Sequence, residues 1–379
     1  MPASTIDVRA HVPLAPLTTL GVGGAARHFV EASSEEEIAE ALTWARARGL
    51  PAAILGGGSN LLVADRGFDG LVLRPRLRGI EVEERGPSIE LTAGAGEPWD
   101  AVCAHAVARG WAGVECLSGI PGDVGATPIQ NVGAYGQEVA ETIVAVRALD
   151  RVTGEARTIA VDACGFGYRD SVFKREAKDR YVILSVRFAL AVGGAPALRY
   201  AELTKQIAAL GLAAATLADV RSVVLALRRA KSMVLDPSDE NGRSAGSFFM
   251  NPTLDPGALA AARARIEEAG VLAPGEAIPS FPASGGRTKL AAGWLIERAG
   301  CRRGMREGRV GLSTKHALAV VNLGGATSAE VVAFARGVRD RVRDRFGVTI
   351  APEPVPLGFT AAELDGLWPR PVAETSDPR

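Results

Sequence analysis

Cysteine and histidine are scarce in this chain. Of 379 residues, 4 are cysteines (Cys103, Cys116, Cys164 and Cys301) and 4 are histidines. None of them forms a CxxC, an HExxH or a local Cys/His cluster. Neither a disulfide scaffold nor a metal site is therefore expected. A long chain with few, scattered cysteines points to a reducing, cytoplasmic setting. Charge of one sign is also lacking: 43 Lys+Arg balance 43 Asp+Glu. General nucleic-acid and anionic-membrane binders carry a basic footprint, so neither partner is expected. No apolar run reaches the ~20 residues of a membrane span. The opening MPASTIDVRAHVPLAP lacks a basic stretch followed by an apolar one, so no secretory signal is read. The GxxxxGK[ST] loop is missing too, and Gly94 and Gly96 match a GxGxxG only in part.

At ~150 residues per domain, the length predicts two to three domains. Hydrophobic residues are 47% and charged residues 23%, the ordinary balance of a globular protein. Residues 34–48 read as a helix, with Ser34 and Glu37 as a capping box and Ile38, Ala41, Leu42 and Ala45 on one face. LPAAIL, LLVA, FDGLVLRP, IVAVRALD, YVILSVRFAL and HALAVVN read as strands. Residues 97–109, 218–229, 256–269, 292–299 and 327–346 read as helices. The Pro/Asp/Asn/Gly cluster between Leu235 and Ser244 reads as a loop at a domain boundary. From Ala361 on, with Pro369, Pro371 and Pro378, the chain reads as a loose surface tail.

Two glycine-rich runs carry chemistry. Gly56-Gly57-Gly58-Ser59-Asn60 lies between two predicted strands. Consecutive glycines let backbone N–H groups turn toward one point and cradle an anion such as a pyrophosphate. A tight β-turn would explain three glycines equally well. The second run, ECLSGIPGDVGATPIQNVGAYGQE, is too long for a simple connection, and loops of this length are usually functional. Its small residues would let the backbone approach a large flat ligand, and two such loops suit an extended dinucleotide.

The markers TTLGVGG, LGGGSNLL, GAGEPWD, ECLSGIPGDVGATPIQNVGAYGQE, GYRDSVFK, RRAKSMVLDP, SAGSFFMNP, KLAAGWLIERAG, STKHALAVVN and APEP stand in one order over residues 17–358. In that order they resemble the UDP-N-acetylenolpyruvoylglucosamine reductase (MurB) family. The resemblance implies an α+β chain: a two-part FAD-binding fold of the p-cresol methylhydroxylase/vanillyl-alcohol oxidase type, then a C-terminal α+β substrate-binding domain. The expected boundaries are residues 1–77 and 78–235 for the two FAD subdomains and 236–350 for the substrate domain, with 351–379 returning to the FAD domain. It implies reduction of an enolpyruvyl UDP-sugar to the lactyl ether, with NADPH as hydride donor and non-covalent FAD, by a monomer.

The resemblance also implies site residues. For FAD they are Gly56, Gly57, Gly58, Ser59, Asn60, Leu61, Ser118, Gly119, Ile120, Pro121, Gly122, Gly125, Ala126, Gln130, Asn131, Gly133 and Ala134. Arg169 would polarise the substrate carboxylate, or else pair with Asp170. Ser247 matches the proton donor, although an isolated serine is more often a turn hydroxyl. Glu353 matches the third catalytic residue. Here the chain departs from the commoner Glu-Pro-Glu-Val-Arg: Ala351 and Val355 replace its first acid and its arginine. Tyr168, Tyr200, Arg228, Lys231, Asn251 and His316 match substrate contacts. Arg228 and Lys231 would equally serve as a solvated basic helix end, Tyr200 as a packed surface residue and His316 as a structural histidine. Cys116 reads as a packing residue rather than a covalent flavin link, and GGGSN holds no histidine for one. The rival is a flavin oxidase of the same FAD fold acting on another small substrate.

Overall fold

The computed structural model describes residues 6–364 and 366–368. The chain forms two compact units. One takes the chain up to Val12 with Ala25–Ser59 and Phe68–Asp236; the other takes Pro13–Gly24, Asn60–Gly67 and the chain from Pro237 on. Pro369, Pro371 and Pro378 of the expected tail lie outside the described residues.

The first unit holds two sheets. In the four-stranded sheet the order is Arg9–Pro13, Ala25–Ala32, Phe68–Pro75, Ala52–Ile54. Phe68–Pro75 runs parallel to both its neighbours Ala25–Ala32 and Ala52–Ile54. Its consecutive buried residues, Leu71, Val72 and Leu73, are those of a parallel strand covered on both faces. Helix Glu35–Arg46 packs on this sheet through Ile38, Ala41, Leu42 and Ala45, and the Ser34 hydroxyl accepts the N–H of Glu37. The second sheet is antiparallel, in the order Ala156–Ala160, Ile143–Asp150, Tyr181–Val192, Ser88–Gly94, Ile80–Arg85. Ser88–Gly94 alternates buried and half-buried residues, the pattern of a one-sided core strand. Helix Trp99–Ala108 covers that core with Trp99, Val102, Cys103 and Ala106.

Residues 115–138 are ordered without being regular. Short 3-10 turns at Glu115–Leu117 and Val124–Ala126 precede a two-strand ribbon, Gly133–Ala134 with Gln137–Glu138. Ser118, Asn131 and Gln137 are buried, so this stretch is internal structure rather than a linker. Two helices, Ala201–Ala209 and Leu217–Ala230, pack on each other; the second opens on a Thr216/Asp219 capping box. The sequence pattern does not predict the first of them.

The second unit is built around helix Ser328–Phe346. Thr327 and Glu330 cap its start, and Gly347 (φ 71°) ends it. Val331, Ala335, Val338, Val342 and Phe346 are buried against Ile266, Leu295, Ile296 and Val320. Full burial of one such side chain is worth ~1.5–3 kcal/mol. HALAVVN contributes only Val320–Asn322 as strand, because His316 to Ala319 forms a turn closed by the Ala319 N–H on the His316 carbonyl. Val355–Leu357 pairs in parallel with Leu61–Val63 in the same unit. Residues 361–364 and 366–368 do not form a loose tail: Ala361–Leu364 is helical, Leu367 is buried, and Trp368 Nε1 donates to the Pro354 carbonyl at 2.9 Å. Among the described residues, no helix is long and apolar enough to cross a membrane.

Candidate active site

In the first unit the two glycine-rich loops lie back to back. A Cβ added at Gly57 would stand 2.6 Å from Gly122 Cα, so glycine is required for this approach. Ser59 Oγ donates to the Pro121 carbonyl at 2.9 Å, and Gly125 N donates to Ala95 O at 2.9 Å. Among the described residues no group accepts the N–H of Gly56, Gly57 or Gly58. Three successive amides without a protein acceptor, on a loop stripped of side chains, form a donor set for a phosphate. These residues fit the pyrophosphate of FAD.

Other predicted cofactor residues are spent inside the protein. Ser118 is fully buried and donates to the Glu115 carbonyl. Gly119 N donates to Asp100 Oδ1 at 2.6 Å. Burial works to raise the Asp100 carboxyl, but its two bonds from Arg221 and the Gly119 amide outweigh this and hold it below the usual carboxylate range. Asn131 (φ 47°) uses its whole amide: Nδ2 donates to Glu138 Oε2 and the Gly167 carbonyl, and Oδ1 accepts the Ala140 N–H. Ile120, Pro121, Ala126, Gln130, Gly133 and Ala134 follow along the same loop, and of these only Gly133 is buried.

Asn131 thereby bolts the Tyr168–Arg169 turn to the second glycine-rich loop. Gly167 and Asp170 bond each other across that turn, and Arg169 sits in it at φ 53°. Its guanidinium donates to the Gly133 carbonyl at 2.6 Å and the Asn131 carbonyl at 3.4 Å. Asp170 pairs with Arg175 at 3.0 Å. These two carbonyls fix the direction in which the guanidinium points. Tyr168 is exposed and lies beside the Arg169 guanidinium.

The same unit gathers Tyr135, Tyr200 and Lys231. The two tyrosine rings meet edge to face at 5.5 Å. Lys231 Nζ lies over the Tyr135 ring and pairs with Glu202 at 2.6 Å. Arg228 is no solvated helix end. It is buried, gives one N–H to the Met233 carbonyl and leaves its Nε without a partner. Burial lowers its pKa from the ordinary arginine value. Cys116 is also buried, its thiol donates to the Ala197 carbonyl, and burial first and Glu115 second push it up to about 12. Such a thiol supplies no thiolate for a covalent link.

In the second unit, backbone pairing assembles a separate group. Glu353 N donates to the Phe248 carbonyl at 2.8 Å, and Phe248 N donates to the Leu318 carbonyl at 2.7 Å. These bonds bring SAGSFF, KHALA and APEP together. Ser247 Oγ lies 3.5 Å from His316 Nε2. Asn60 joins them, its Nδ2 donating to the Glu353 carbonyl at 3.4 Å and its own carbonyl accepting the Val355 N–H at 2.9 Å. Leu61 begins the strand paired with Val355. Asn251 stands apart from this group, accepting the Ala292 N–H at the start of helix Ala292–Arg298. A hydroxyl, an imidazole and a carboxylate on segments joined in this way can hold and move a proton.

Sequence reasoning missed Asp100, Arg221 and Asp123. The first two brace Gly119 from outside the loop. Asp123 is buried with one oxygen unpartnered, and burial raises its carboxyl above the usual range. An aspartate after glycine reads as a turn residue, so the pattern carried no signal for this.

Comparison with known proteins gives two family matches. Residues 26–160 match the FAD binding domain, and residues 236–357 match the UDP-N-acetylenolpyruvoylglucosamine reductase C-terminal domain. The UDP-N-acetylenolpyruvoylglucosamine reductase of Saccharopolyspora erythraea is 51% identical over 90% of this chain and 93% of its own length. That of Thermobifida fusca is 46% identical over 94% of this chain and 99% of its own. The crystal structure of the Thermus caldophilus reductase superposes with a TM-score of 0.63 at 25% identity, over 93% of this chain and 99% of that one.

Proposed function

We propose, from the premise that this chain belongs to the UDP-N-acetylenolpyruvoylglucosamine reductase family, a division of labour among its own residues. The enzyme carries out the FAD-dependent reduction of UDP-N-acetylglucosamine enolpyruvate in peptidoglycan precursor synthesis. Bound FAD supplies hydride acceptance from NADPH and hydride donation to the alkene. The Gly56, Gly57 and Gly58 amides hold its pyrophosphate, and the second loop lines the rest of the cofactor without a covalent bond.

Hydride addition at the terminal alkene carbon leaves charge on the neighbouring carbon, delocalised into the carboxylate. Arg169 grips that carboxylate and stabilises the enolate-like state. Ser247 gives its proton to the charged carbon. His316, 3.5 Å away, orients the hydroxyl, and Glu353 positions the substrate beside it. Tyr168, Tyr200 and Lys231 contact the nucleotide sugar. Arg228, buried under the cofactor loop, braces rather than binds, and Asn251 steadies the segment after Ser247. The enzyme acts as a cytoplasmic monomer.

The observation that carries the proton assignment is the pairing of the Ser247 and Glu353 segments through the Glu353–Phe248 bond. The test is direct. Purified protein should be yellow, release FAD on denaturation and be bleached anaerobically by NADPH. The enolpyruvyl nucleotide sugar should then restore the colour. Bleaching by another organic substrate, with colour restored only by oxygen, would overturn the reading.

A further inference from the structure

We propose that Glu115 is a positioning residue that latches the segment carrying Tyr200. Glu115 is fully buried, yet its three bonds all come from neutral donors. Oε2 accepts the Gly113 N–H at 2.8 Å. Oε1 accepts Gln137 Nε2 at 3.2 Å and the Ala197 N–H at 2.8 Å. Burying a carboxyl group requires hydrogen-bond donors, and one of these three comes from a group of residues far along the chain. That group is the strap of residues 195–200. Pro196 has no N–H, and among the described residues Ala197 is the one strap amide that donates to the protein. Its carbonyl is taken as well, by the Cys116 thiol at 3.2 Å. Ala197 is thus held on both sides by consecutive residues of the second glycine-rich loop, and Cys116 N is itself tied to Gln137 Oε1 at 2.9 Å.

Packing holds the strap at Ala197 and Tyr200, against the Cys116 cluster and the Tyr135 ring, and leaves space beside the residues around them. A cavity of about 530 Å³ is lined by residues 194–199 on one side and by Ala112, Gly113, Gln137, Thr142 and Ala189 on the other. Gly193 and Gly194 lead into the strap, and among the described residues Arg199–Glu141 is its one ion pair, between exposed side chains. Exposed pairs of this kind hold weakly. Tyr200, three residues beyond Ala197, is held from the far side by the helix it opens and by the Tyr135 ring, and the Glu115 bond fixes the strap that leads into it. The proposal rests on the reading of Tyr200 as a substrate contact. On that reading, Glu115 links order in the cofactor loop to affinity for the nucleotide sugar.

The test compares E115Q, A197P and Tyr200→Phe in the holoenzyme. A glutamine cannot accept all three donors, and A197P removes the strap's donor while leaving the carboxylate in place. Exchange of the Ala197 amide should quicken in E115Q, and exchange of residues 204–209, in the helix that the strap leads into, should quicken in both E115Q and A197P. KM for the enolpyruvyl nucleotide sugar should rise about ten-fold, as for a lost bond to a charged group, with kcat and NADPH bleaching near native. Unchanged exchange of residues 204–209 in A197P overturns the latch, whatever E115Q does to folding. Quickened exchange with native KM, in both latch variants and in Tyr200→Phe, upholds the latch and overturns Tyr200 as a substrate contact.

Discussion

Replacing Gly57 with alanine tests the cofactor cradle at its tightest point. The new Cβ would stand 2.6 Å from Gly122 Cα, 3.1 Å from the Gly122 carbonyl carbon and 3.2 Å from Asp123 N. All three are backbone atoms, which cannot swing aside as a side-chain end does. Carbon atoms rest at ~3.5–4.0 Å, so the loops must part by about 1 Å. Gly122 is poorly placed to yield. It sits at φ 119°, its carbonyl accepts the Trp99 N–H at 2.9 Å, and its own Cβ direction ends 2.9 Å from Ser59 Oγ. Overpacking of this kind costs ~1–3 kcal/mol. Gly56→Ala is the control, because its nearest protein atom would be Ala126 Cβ at 3.9 Å. Denaturant unfolding of the deflavinated protein should show the loss in Gly57→Ala and not in Gly56→Ala. FAD titration by fluorescence quenching should show weakened binding in Gly57→Ala, by about ten-fold for each 1.4 kcal/mol. Native unfolding and native FAD affinity in Gly57→Ala would refute the argument that the loops carry their function through this contact.

Arg169→Ala should retain FAD and lose ~100- to 1,000-fold in reduction of the enolpyruvyl substrate; a colourless variant, or one with near-native turnover, contradicts its role. Ser247→Ala should bleach normally with NADPH but recover colour on the nucleotide sugar several orders of magnitude more slowly, because an unprotonated enolate returns its hydride. Ser247→Cys should regain part of that rate in stopped flow, and equal slowing of both halves would make Ser247 a structural residue. Glu276 predicts a pH effect on stability: the Ala273 N–H, Trp294 Nε1 and Arg298 hold its carboxyl at about 2, below its ordinary 4.5. A depressed carboxylate stabilises the fold above its unfolded pKa and loses that contribution as pH falls toward 2. The difference in urea midpoint between the native protein and Glu276→Gln should therefore be full at pH 7 and shrink below pH ~4.5; a constant difference would contradict the assignment.

The elements with a local cause were legible in the sequence. Capping pairs such as Ser34/Glu37 and Thr327/Glu330, and stops such as Gly347, act within a turn of the residues that reveal them. Glycine loops were legible for the same reason. Helix Ala201–Ala209 was missed because it opens at Tyr200 with no side-chain cap and buries only Leu203 and Ile207. HALAVVN was over-read as strand because its alternation is apolar throughout, while the structure bends its first residues into a turn that places His316 beside Ser247.

What escaped the sequence has a common physical form. Asp100 and Glu115, and the bracing role of Asn131, each rest on a bond to a residue 19 to 82 positions away, which no local pattern announces. Asp100 satisfies a loop N–H from outside the loop, whereas Glu115 and Asn131, within it, tie it to Ala197 and Gly167. A loop built from glycine gains close approach to its ligand and gives up the side chains that would hold its shape. Its shape must then come from polar side chains that tie it to the rest of the unit. Motif residues identify where chemistry happens, and these distant residues decide whether the motif is held in a geometry that can perform it. Loss of Asn131 should on this ground unseat Arg169 as well as the loop, since the same amide bonds Glu138 and the Gly167 carbonyl.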